Sequence, residues 1–206
     1  MSAILGTPVD RLVAVTAGVL ATVIVASWMA TLRIPRDPPA GSSLWFRLPA
    51  LAQLGLGLGT LALSVYLGYL LWVPLPLTLP PVIVSSLRVA GPGVYLGGLG
   101  LTLWARWSLG GMYGVSTSST AELRVNHQLI QRGPYAGLRH PMYLGYWLLF
   151  AGVLLTYRTW TPVVLLAIFV PAFCRRARRE ETVLEGRFGQ EWIEYKAHTA
   201  FMIPFL

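Results

Sequence analysis

The chain has 206 residues, of which 55% are apolar and only 12% are charged. Soluble domains carry about 25% charged residues, and several uncharged runs here approach or exceed the roughly 18 to 20 residues that cross a bilayer. This composition excludes a soluble globular protein and predicts an all-α integral membrane protein. The net charge of +8 then reflects topology, because Lys and Arg concentrate in cytoplasmic loops, and we expect no nucleic-acid partner.

The apolar runs predict five transmembrane helices. A stretch between the second and third runs, "PLPLTLPPVIVSS", has four prolines between Pro74 and Pro81. It is predicted to be a loop, because proline removes a backbone donor and clashes inside a helix. The last two runs are joined by "RT" and therefore predict a tight antiparallel hairpin. The spans cover about residues 12–32, 48–73, 92–109, 141–157 and 160–174.

The distribution of Lys and Arg predicts the orientation of these spans. If the polar tail is cytoplasmic, most of the 16 Lys and Arg fall in inner segments, as the positive-inside rule requires. We therefore expect residues 111–140 and 175–206 to face the cytoplasm, where they can meet, and Arg158 to face the opposite side. The chain divides into an N-terminal region of three spans, residues 1–110, and a C-terminal region, residues 111–206.

Several residue types argue against other kinds of site. Cys174 is the only cysteine, which excludes an internal disulfide and a multi-cysteine metal site. The glycines of "GLGLG" (55–59) and "GGLG" (97–100) follow no strand, so we interpret them as helix-packing residues rather than a dinucleotide fingerprint. No zinc motif matches the spacing of the three histidines, and we expect no metal ligands among them: His127, His140 and His198.

The stretch "GPYAGLRHPMYLGY" (133–146) places a cation and an imidazole at the start of the fourth span. Pro141 suits the first turn of a helix, where its missing N–H costs nothing. Arg139 and His140 then flank a helix N-terminus, whose free N–H groups and dipole favour an anion. Two interpretations stay open: an anion-binding site at the membrane surface, or an Arg that anchors the helix to lipid phosphates.

The tail sequence "RRARREETVLEGRFGQEWIEY" (175–195) predicts an amphipathic helix with Gly189 as its weak point. Glu180 and Glu181 follow four arginines in a chain with only eight acidic residues. The pair either compensates a helix dipole or holds a cationic ligand. The apolar residues recur at spacings of four, four and three, as on one helix face: Leu184, Phe188, Trp192 and Tyr195.

The two motifs together carry a family resemblance. "NHQLIQRGPYAGLRHPMYLGY" followed by "EETVLEGRFGQEWIEY" resembles the isoprenylcysteine carboxyl methyltransferase and phospholipid methyltransferase superfamily. The family pattern runs H-x-L-(I/V), G-P-Y and R-H-P-x-Y-x-G, then a helical hairpin and E-E-x-x-L-x-x-x-F-G-x-x-Y-x-x-Y. Trp192 stands where Tyr is usual. The resemblance covers about the last 80 residues, and the first 110 agree only in being apolar spans.

The resemblance implies a membrane-embedded methyltransferase that uses S-adenosyl-L-methionine without a Rossmann domain, with residues 111–206 as its catalytic region. In the family, the H-x-L-V strip, the R-H-P-x-Y-x-G turn and the E-E helix contact the cofactor. Carried over, these residues are His127, Gln128, Leu129, Ile130, Gly133, Tyr135, His140, Pro141, Tyr143, Gly145, Glu180 and Glu181.

Two further positions are implied at the reaction centre. Arg139 matches an Arg implicated there, and His198 occupies the place of a second functional Arg when the tails are aligned on Tyr195 and Pro204. The implied acceptor is a lipophilic small molecule or prenylated compound, in the first instance an isoprenylcysteine-type carboxylate, which needs a cation but no base. The alternatives are a phospholipid amine, a phenolic lipid or a small thiol, and, outside this class, an NADPH-dependent membrane reductase or a non-catalytic membrane protein.

Overall fold

The computed structural model describes residues 7–32, 50–110 and 129–203 of the chain. Within these ranges every regular element is helical, and the predicted all-α class is confirmed. A short 3-10 turn, Gly133–Ala136, precedes the fourth helix. The helices are α1 (Pro8–Leu32), α2 (Ala50–Leu70), α3 (Pro81–Leu109), α4 (Pro141–Tyr157), α5 (Trp160–Phe188) and α6 (Gln190–Ala197).

The chain separates into two compact units: residues 1–66 with 114–118, and residues 67–113 with 119–206. The first unit contains α1 and most of α2. The start of α1 is capped reciprocally, since the amide N of Thr7 donates to Asp10 Oδ2 at 2.9 Å and the amide N of Asp10 donates to Thr7 Oγ1 at 3.2 Å, an arrangement that satisfies two free helix donors. The second unit contains α3 to α6 and all the residues discussed below.

Two helices, α3 and α5, are each 29 residues long and apolar enough to cross a membrane. Only 17% of the residues in their apolar windows are buried, so most of these side chains keep some exposed apolar surface. α4 and the later part of α2 are apolar but shorter. Long apolar helices thus stand where spans were predicted, and five crossings remain a prediction.

Two helices extend beyond the predicted spans. The third span was placed at 92–109, but α3 begins at Pro81 and continues through Pro92. Pro81 stands at the first helical position, where proline is tolerated. The fifth span was predicted to end at residue 174, but α5 continues without a break to Phe188.

The predicted amphipathic tail helix is in fact two helices. Gly189 adopts φ +51° between α5 and α6, a left-handed conformation that favours glycine. Its amide N still bonds the carbonyl O of Glu185 at 2.9 Å. Trp192 and Tyr195 are buried on α6. Leu184 and Phe188 are half-buried on α5, so the four predicted apolar residues are divided between two helices.

Helices α3 and α4 pack along a seam of small residues. A Cβ added at Gly98 would lie 2.7 Å from both the carbonyl O of Gly145 and the amide N of Leu149, and one at Gly152 would lie 2.6 Å from Tyr95 Cα. Such contacts let two membrane helices approach with their backbones nearly touching. The packing interpretation of "GGLG" is confirmed at Gly98. Buried residues recur at heptad-like spacing, as Gly91, Tyr95, Gly98, Thr102 and Ala105 on α3 and Gly145, Leu149, Gly152 and Thr156 on α4.

Gly98→Ala is expected to destabilise the fold by about 1 to 3 kcal/mol, the usual cost of overpacking a tight contact. Gly97→Ala is the matched control, because its Cβ would meet no described atom within 4 Å and alanine is the better helix former. Thermal unfolding in detergent, followed by tryptophan fluorescence, measures both variants. Equal unfolding midpoints for the two variants would refute close packing of α3 and α4 at Gly98.

The proline-rich loop is held against the turn between α4 and α5. The amide N of Leu75 donates to the carbonyl O of Arg158 at 2.8 Å, and the amide N of Trp160 donates to the carbonyl O of Val73 at 3.1 Å. Thr161 Oγ1 adds a bond to the carbonyl O of Gly68 at 2.7 Å. Because Arg158 adopts φ 52° and closes α4 in the left-handed conformation, the "RT" connection makes the tight hairpin that was predicted.

Candidate active site

Segments that are far apart in the sequence converge at the start of α4. The amide N of Arg139 donates to the carbonyl O of Ala200 at 2.8 Å, and that of His140 donates to the carbonyl O of Phe201 at 3.1 Å. The amide N of Ala200 returns a bond to the carbonyl O of Gly137 at 3.0 Å. We call residues 199–203, which follow α6, the C-terminal strap. Backbone bonds therefore hold the strap beside Arg139 and His140.

Glu181 on α5 lies at the centre of the convergence. Its Oε1 accepts from Arg139 Nε at 2.7 Å and lies 3.2 Å from His140 Nε2. Its Oε2 lies 3.9 Å from Lys196 Nζ. Because an ionised carboxylate can only accept hydrogen bonds, this geometry assigns a proton to His140 Nε2. One carboxylate thus joins the start of α4, the polar half of α5 and the end of α6.

Arg139 points into this cluster rather than towards lipid. Its side chain is only 11% exposed. Besides bonding Glu181, its Nη1 donates to the carbonyl O of Lys196 at 3.1 Å and to that of Thr199, and its guanidinium lies 5.7 Å from the Phe201 ring. The interpretation of Arg139 as an anchor to lipid phosphates is therefore wrong for this side chain. Its Nη2 donates to none of the residues that the structure describes.

Glu180 has a different environment from its neighbour. Its Oε1 accepts from the Tyr143 hydroxyl at 2.7 Å and from Arg176 Nε at 2.9 Å. Its Oε2 lies 3.7 Å from His140 Nδ1 and accepts no hydrogen bond within the described part of the chain. With a side chain that is 26% exposed, Glu180 keeps one carboxylate oxygen available to a ligand.

The sequence reasoning did not single out Arg176. It was counted only as one charge in the run that follows the fifth span. The available signal was its spacing of four residues before Glu180, which places the two side chains on one helix face. Its side chain is 41% exposed, so Arg176 adds a solvent-accessible cation to the cluster.

A ladder of aromatic rings leads from the polar cluster along α4 and α5. His140 stacks on Tyr143 with ring centroids 5.7 Å apart, and Tyr143 stacks on Phe173 at 4.9 Å. Phe173 contacts Phe169 at 5.3 Å, and Phe169 stacks on Phe150 at 5.6 Å. The ladder gives the cluster an apolar extension into the hairpin.

The "GPY" turn is fastened to α6 by Tyr195. The Tyr195 hydroxyl donates to the carbonyl O of Tyr135 at 2.7 Å. Burial, and to a lesser extent the charge of Glu181, raises the pKa of Tyr195 to about 12 against the opposing effect of Arg139, so the hydroxyl keeps its proton at neutral pH. Gly133 starts the turn at φ +61°. The conformation of the turn therefore depends on the hydrogen bond from Tyr195 and on the left-handed backbone at Gly133.

Other residues assigned through the resemblance lie elsewhere or outside the described ranges. Gly145 lies on the α3–α4 seam, where a Cβ would meet the carbonyl O of Gly98 at 2.9 Å. His198 is exposed, and its Nδ1 lies 2.8 Å from the carbonyl O of Glu194. Pro141 is buried at the first position of α4. Leu129 and Ile130 are half-buried before the turn, and His127 and Gln128 lie outside the described residues.

The structure thus defines a helical protein with a paired-charge cluster where an apolar hairpin meets its polar tail. A sequence profile described as "Phospholipid methyltransferase" matches residues 87–191, about half of the chain. The match includes α4 and α5, and with them Arg139, His140, Glu180 and Glu181. The chain belongs to this family, and the family predicted from the motifs is confirmed.

Individual relatives each match about two fifths of the chain. "Protein-S-isoprenylcysteine O-methyltransferase" of Saccharomyces cerevisiae is 35% identical over 82 residues, 39% of this chain and 34% of that protein. The Homo sapiens protein of the same name is 38% identical over 85 residues, 39% of this chain and 28% of that protein. The chain therefore matches about a third of the length of these relatives.

One solved structure shares the fold. It is titled "Structure of the eukaryotic intramembrane Ras methyltransferase ICMT (isoprenylcysteine carboxyl methyltransferase) without a monobody". The superposition has a TM-score of 0.55 with 19% sequence identity, and it covers 71% of this chain and 53% of that chain. This similarity supports the helical architecture as a whole.

Proposed function

We propose that this protein is a membrane-embedded methyltransferase that transfers a methyl group from S-adenosyl-L-methionine to a lipophilic acceptor, foremost an isoprenylcysteine-type carboxylate. The observation that carries the proposal is the family match over residues 87–191, which includes the residues of the charged cluster on α4 and α5. The relatives named as isoprenylcysteine methyltransferases favour the carboxylate.

The charges of the cluster fit this cofactor. S-adenosyl-L-methionine presents an ammonium and a carboxylate and, when bound, supplies the methyl group on its sulfonium. Glu180 offers the ammonium an oxygen that is free of hydrogen bonds among the described residues, and charge-assisted bonds of this kind are strong. Arg139 has Nη2 donors for a carboxylate. The remaining role of the protein is to align the two reactants and exclude water.

A carboxylate acceptor suits the cations near the apolar hairpin. Arg176 is partly exposed and lies two residues beyond the apolar stretch 160–174, next to the aromatic ladder. It can orient an acceptor carboxylate while the ladder receives the lipid chain. An amine, phenol or thiol acceptor has to lose a proton, which requires a base. In the described part of the cluster, His140 donates to Glu181 through Nε2, so its Nδ1 is the candidate base for these alternatives.

Methyl transfer by purified protein in detergent tests the proposal directly. We expect label from S-adenosyl-L-methionine to enter an S-farnesylcysteine whose amine is blocked and whose carboxylate is free. The matched carboxamide and phosphatidylethanolamine should accept none. Transfer to phosphatidylethanolamine alone would show that the acceptor is a phospholipid amine. Binding of NADPH without binding of S-adenosyl-L-methionine would instead establish the reductase alternative.

We further propose that the protein crosses the membrane several times and that its site faces the cytoplasm. The support is the exposed apolar surface of α3 and α5 together with the Arg-rich polar half of α5. On this proposal, residues 111–140 and 175–206 are cytoplasmic. The turn at Arg158 and the loop bonded to it lie on the other side.

Cysteine labelling from outside the cell checks the orientation. After Cys174→Ala, we expect Leu77→Cys to react with a membrane-impermeant reagent and Gln190→Cys to be protected until the cells are opened. Leu77 is 59% exposed and belongs to the loop that is bonded to the turn, so it reports on that side without disturbing the left-handed Arg158. Ready labelling of Gln190→Cys in intact cells would reverse the orientation.

A further inference from the structure

The two adjacent glutamates of α5 differ in exposure and in the groups that surround their carboxylates. The Glu181 side chain is 11% exposed and its carboxylate contacts Arg139, His140 and Lys196. The Glu180 side chain is 26% exposed. Each carboxylate keeps one oxygen without a hydrogen bond from a described residue, but Glu181 Oε2 lies 3.9 Å from the Lys196 ammonium, whereas Glu180 Oε2 lies 3.7 Å from the His140 ring. A ligand ammonium that approached Glu181 would have to displace protein cations that are already in place.

We infer that Glu181 is a positioning residue, and that it holds Arg139, His140 and, through Arg139, the C-terminal strap. The resemblance assigned both glutamates to the cofactor. The geometry separates them and favours Glu180, the more exposed carboxylate, as the partner of the ammonium. The ligand role of Glu180 rests on the proposed function, whereas the positioning role of Glu181 rests on contacts within the protein.

The path from Glu181 to the strap runs through one guanidinium. Glu181 fixes Arg139 Nε at 2.7 Å. The same guanidinium uses Nη1 to bond the carbonyl oxygens of Lys196 and Thr199. These two carbonyls lie at the end of α6 and the start of the strap. A guanidinium is a planar, rigid fork, so fixing its Nε also fixes the direction in which Nη1 points.

Loss of the Glu181 charge has a specific expected effect. In Glu181→Gln the amide oxygen can take the place of Oε1 and still accept from Arg139 and His140, but the amide NH2 then takes the place of Oε2 and faces Lys196 Nζ, donor against donor. Arg139 also becomes a partly buried cation without its counter-ion, which is strongly unfavourable. The strap should therefore open more often in this variant while α3, α4 and α5 remain packed.

The chain provides a reporter for this opening, because Lys196 is its only lysine. An endoproteinase that cleaves only after lysine can cut the native protein at this single bond, and only when the end of α6 and the strap unfold locally. Mass spectrometry of the released segment gives the cleavage rate. Circular dichroism and gel filtration establish that each variant is otherwise folded.

We expect Glu181→Gln to be cleaved at least about tenfold faster than the wild type, because breaking a buried ion pair is strongly destabilising. Arg139→Gln, which breaks the same pair from the other side, should match it. The double variant should be no faster than either single one, since both act on one interaction. Glu181→Asp keeps the charge and should restore part of the protection. Glu180→Gln should be cleaved at the wild-type rate.

Wild-type cleavage of folded Glu181→Gln would overturn the inference, and additive rates in the double variant would show that Glu181 does not act through Arg139. If Glu181→Gln does not fold, Arg139→Gln and Glu181→Asp test the same pair. These rates are measured without cofactor. A wild-type protein that binds no S-adenosyl-L-methionine, as measured by calorimetry, would therefore refute the proposed function and leave the positioning role standing.

Discussion

Arg139→Ala is expected to abolish methyl transfer, with kcat/KM falling by at least about 10²- to 10³-fold, as when a preorganised donor at a reacting oxyanion is removed. Its guanidinium is held by Glu181 and by two backbone carbonyls, and its Nη2 remains available to an anion. Initial rates with labelled donor and a prenylcysteine acceptor measure the effect.

Arg139→Lys is the informative companion. Lysine retains the charge but cannot reach Glu181, the two carbonyls and an anion with one planar fork, so we expect less than about a tenth of the activity to return. Calorimetry then identifies the anion: unchanged affinity for S-adenosyl-L-methionine places Arg139 on the acceptor, and reduced affinity places it on the cofactor. Near-normal turnover in folded Arg139→Ala would refute both roles.

Glu180→Gln is expected to weaken the binding of S-adenosyl-L-methionine by about 10- to 100-fold, equivalent to about 1.4 to 2.8 kcal/mol. The substitution keeps the size of the side chain and removes the charge that attracts an ammonium. The loss should stay in this range because the carboxylate is partly solvated, which screens its interactions. Calorimetry on the purified protein gives the dissociation constant.

Glu185→Gln is the matched control for this measurement. Glu185 lies on the same helix, outside the cluster, and is exposed. The substitution therefore removes the same charge without changing the cluster. We expect its dissociation constant to stay within about twofold of the wild type, since long-range effects of an exposed charge are weak in salt. Equal losses in Glu180→Gln and Glu185→Gln would mean that only the net charge of the tail matters.

The elements of the fold that depend on local chemistry could be predicted from the sequence. Pro141 opens α4 as expected, because a proline at the first helical position is free of any backbone cost, and the "RT" connection makes the hairpin turn. The ends of α3 and α5 could not be placed this way. The run "RRARREE" marks where an apolar surface ends, but backbone hydrogen bonding does not depend on side-chain polarity, so α5 continues to Phe188.

The candidate site could also be predicted only in part from the sequence. The motifs identified Arg139, His140, Tyr143, Glu180 and Glu181, which the structure brings together. The strap could not be foreseen, because it is held mainly through backbone amide and carbonyl groups, which exist along the whole chain and leave no mark in a sequence. The roles of adjacent residues of the same type were also hidden. Only burial and contacts separate Glu180 from Glu181.

The unbroken backbone of α5 makes one rigid element of the apolar stretch 160–174 and the acidic pair. At about 1.5 Å per residue, Glu180 lies about 9 Å along the helix axis beyond Cys174. With residues 160–174 in the hydrocarbon, as proposed, the helix acts as a ruler that sets the height of the carboxylates above the lipid tails. The enzyme then selects acceptors by the position of their reactive group relative to the membrane as well as by their chemistry. A reactive group has to project out of the hydrocarbon to meet Arg176, about 3 Å beyond Cys174 along the helix axis, and a compound of the right class with a fully immersed headgroup would pass beneath the site.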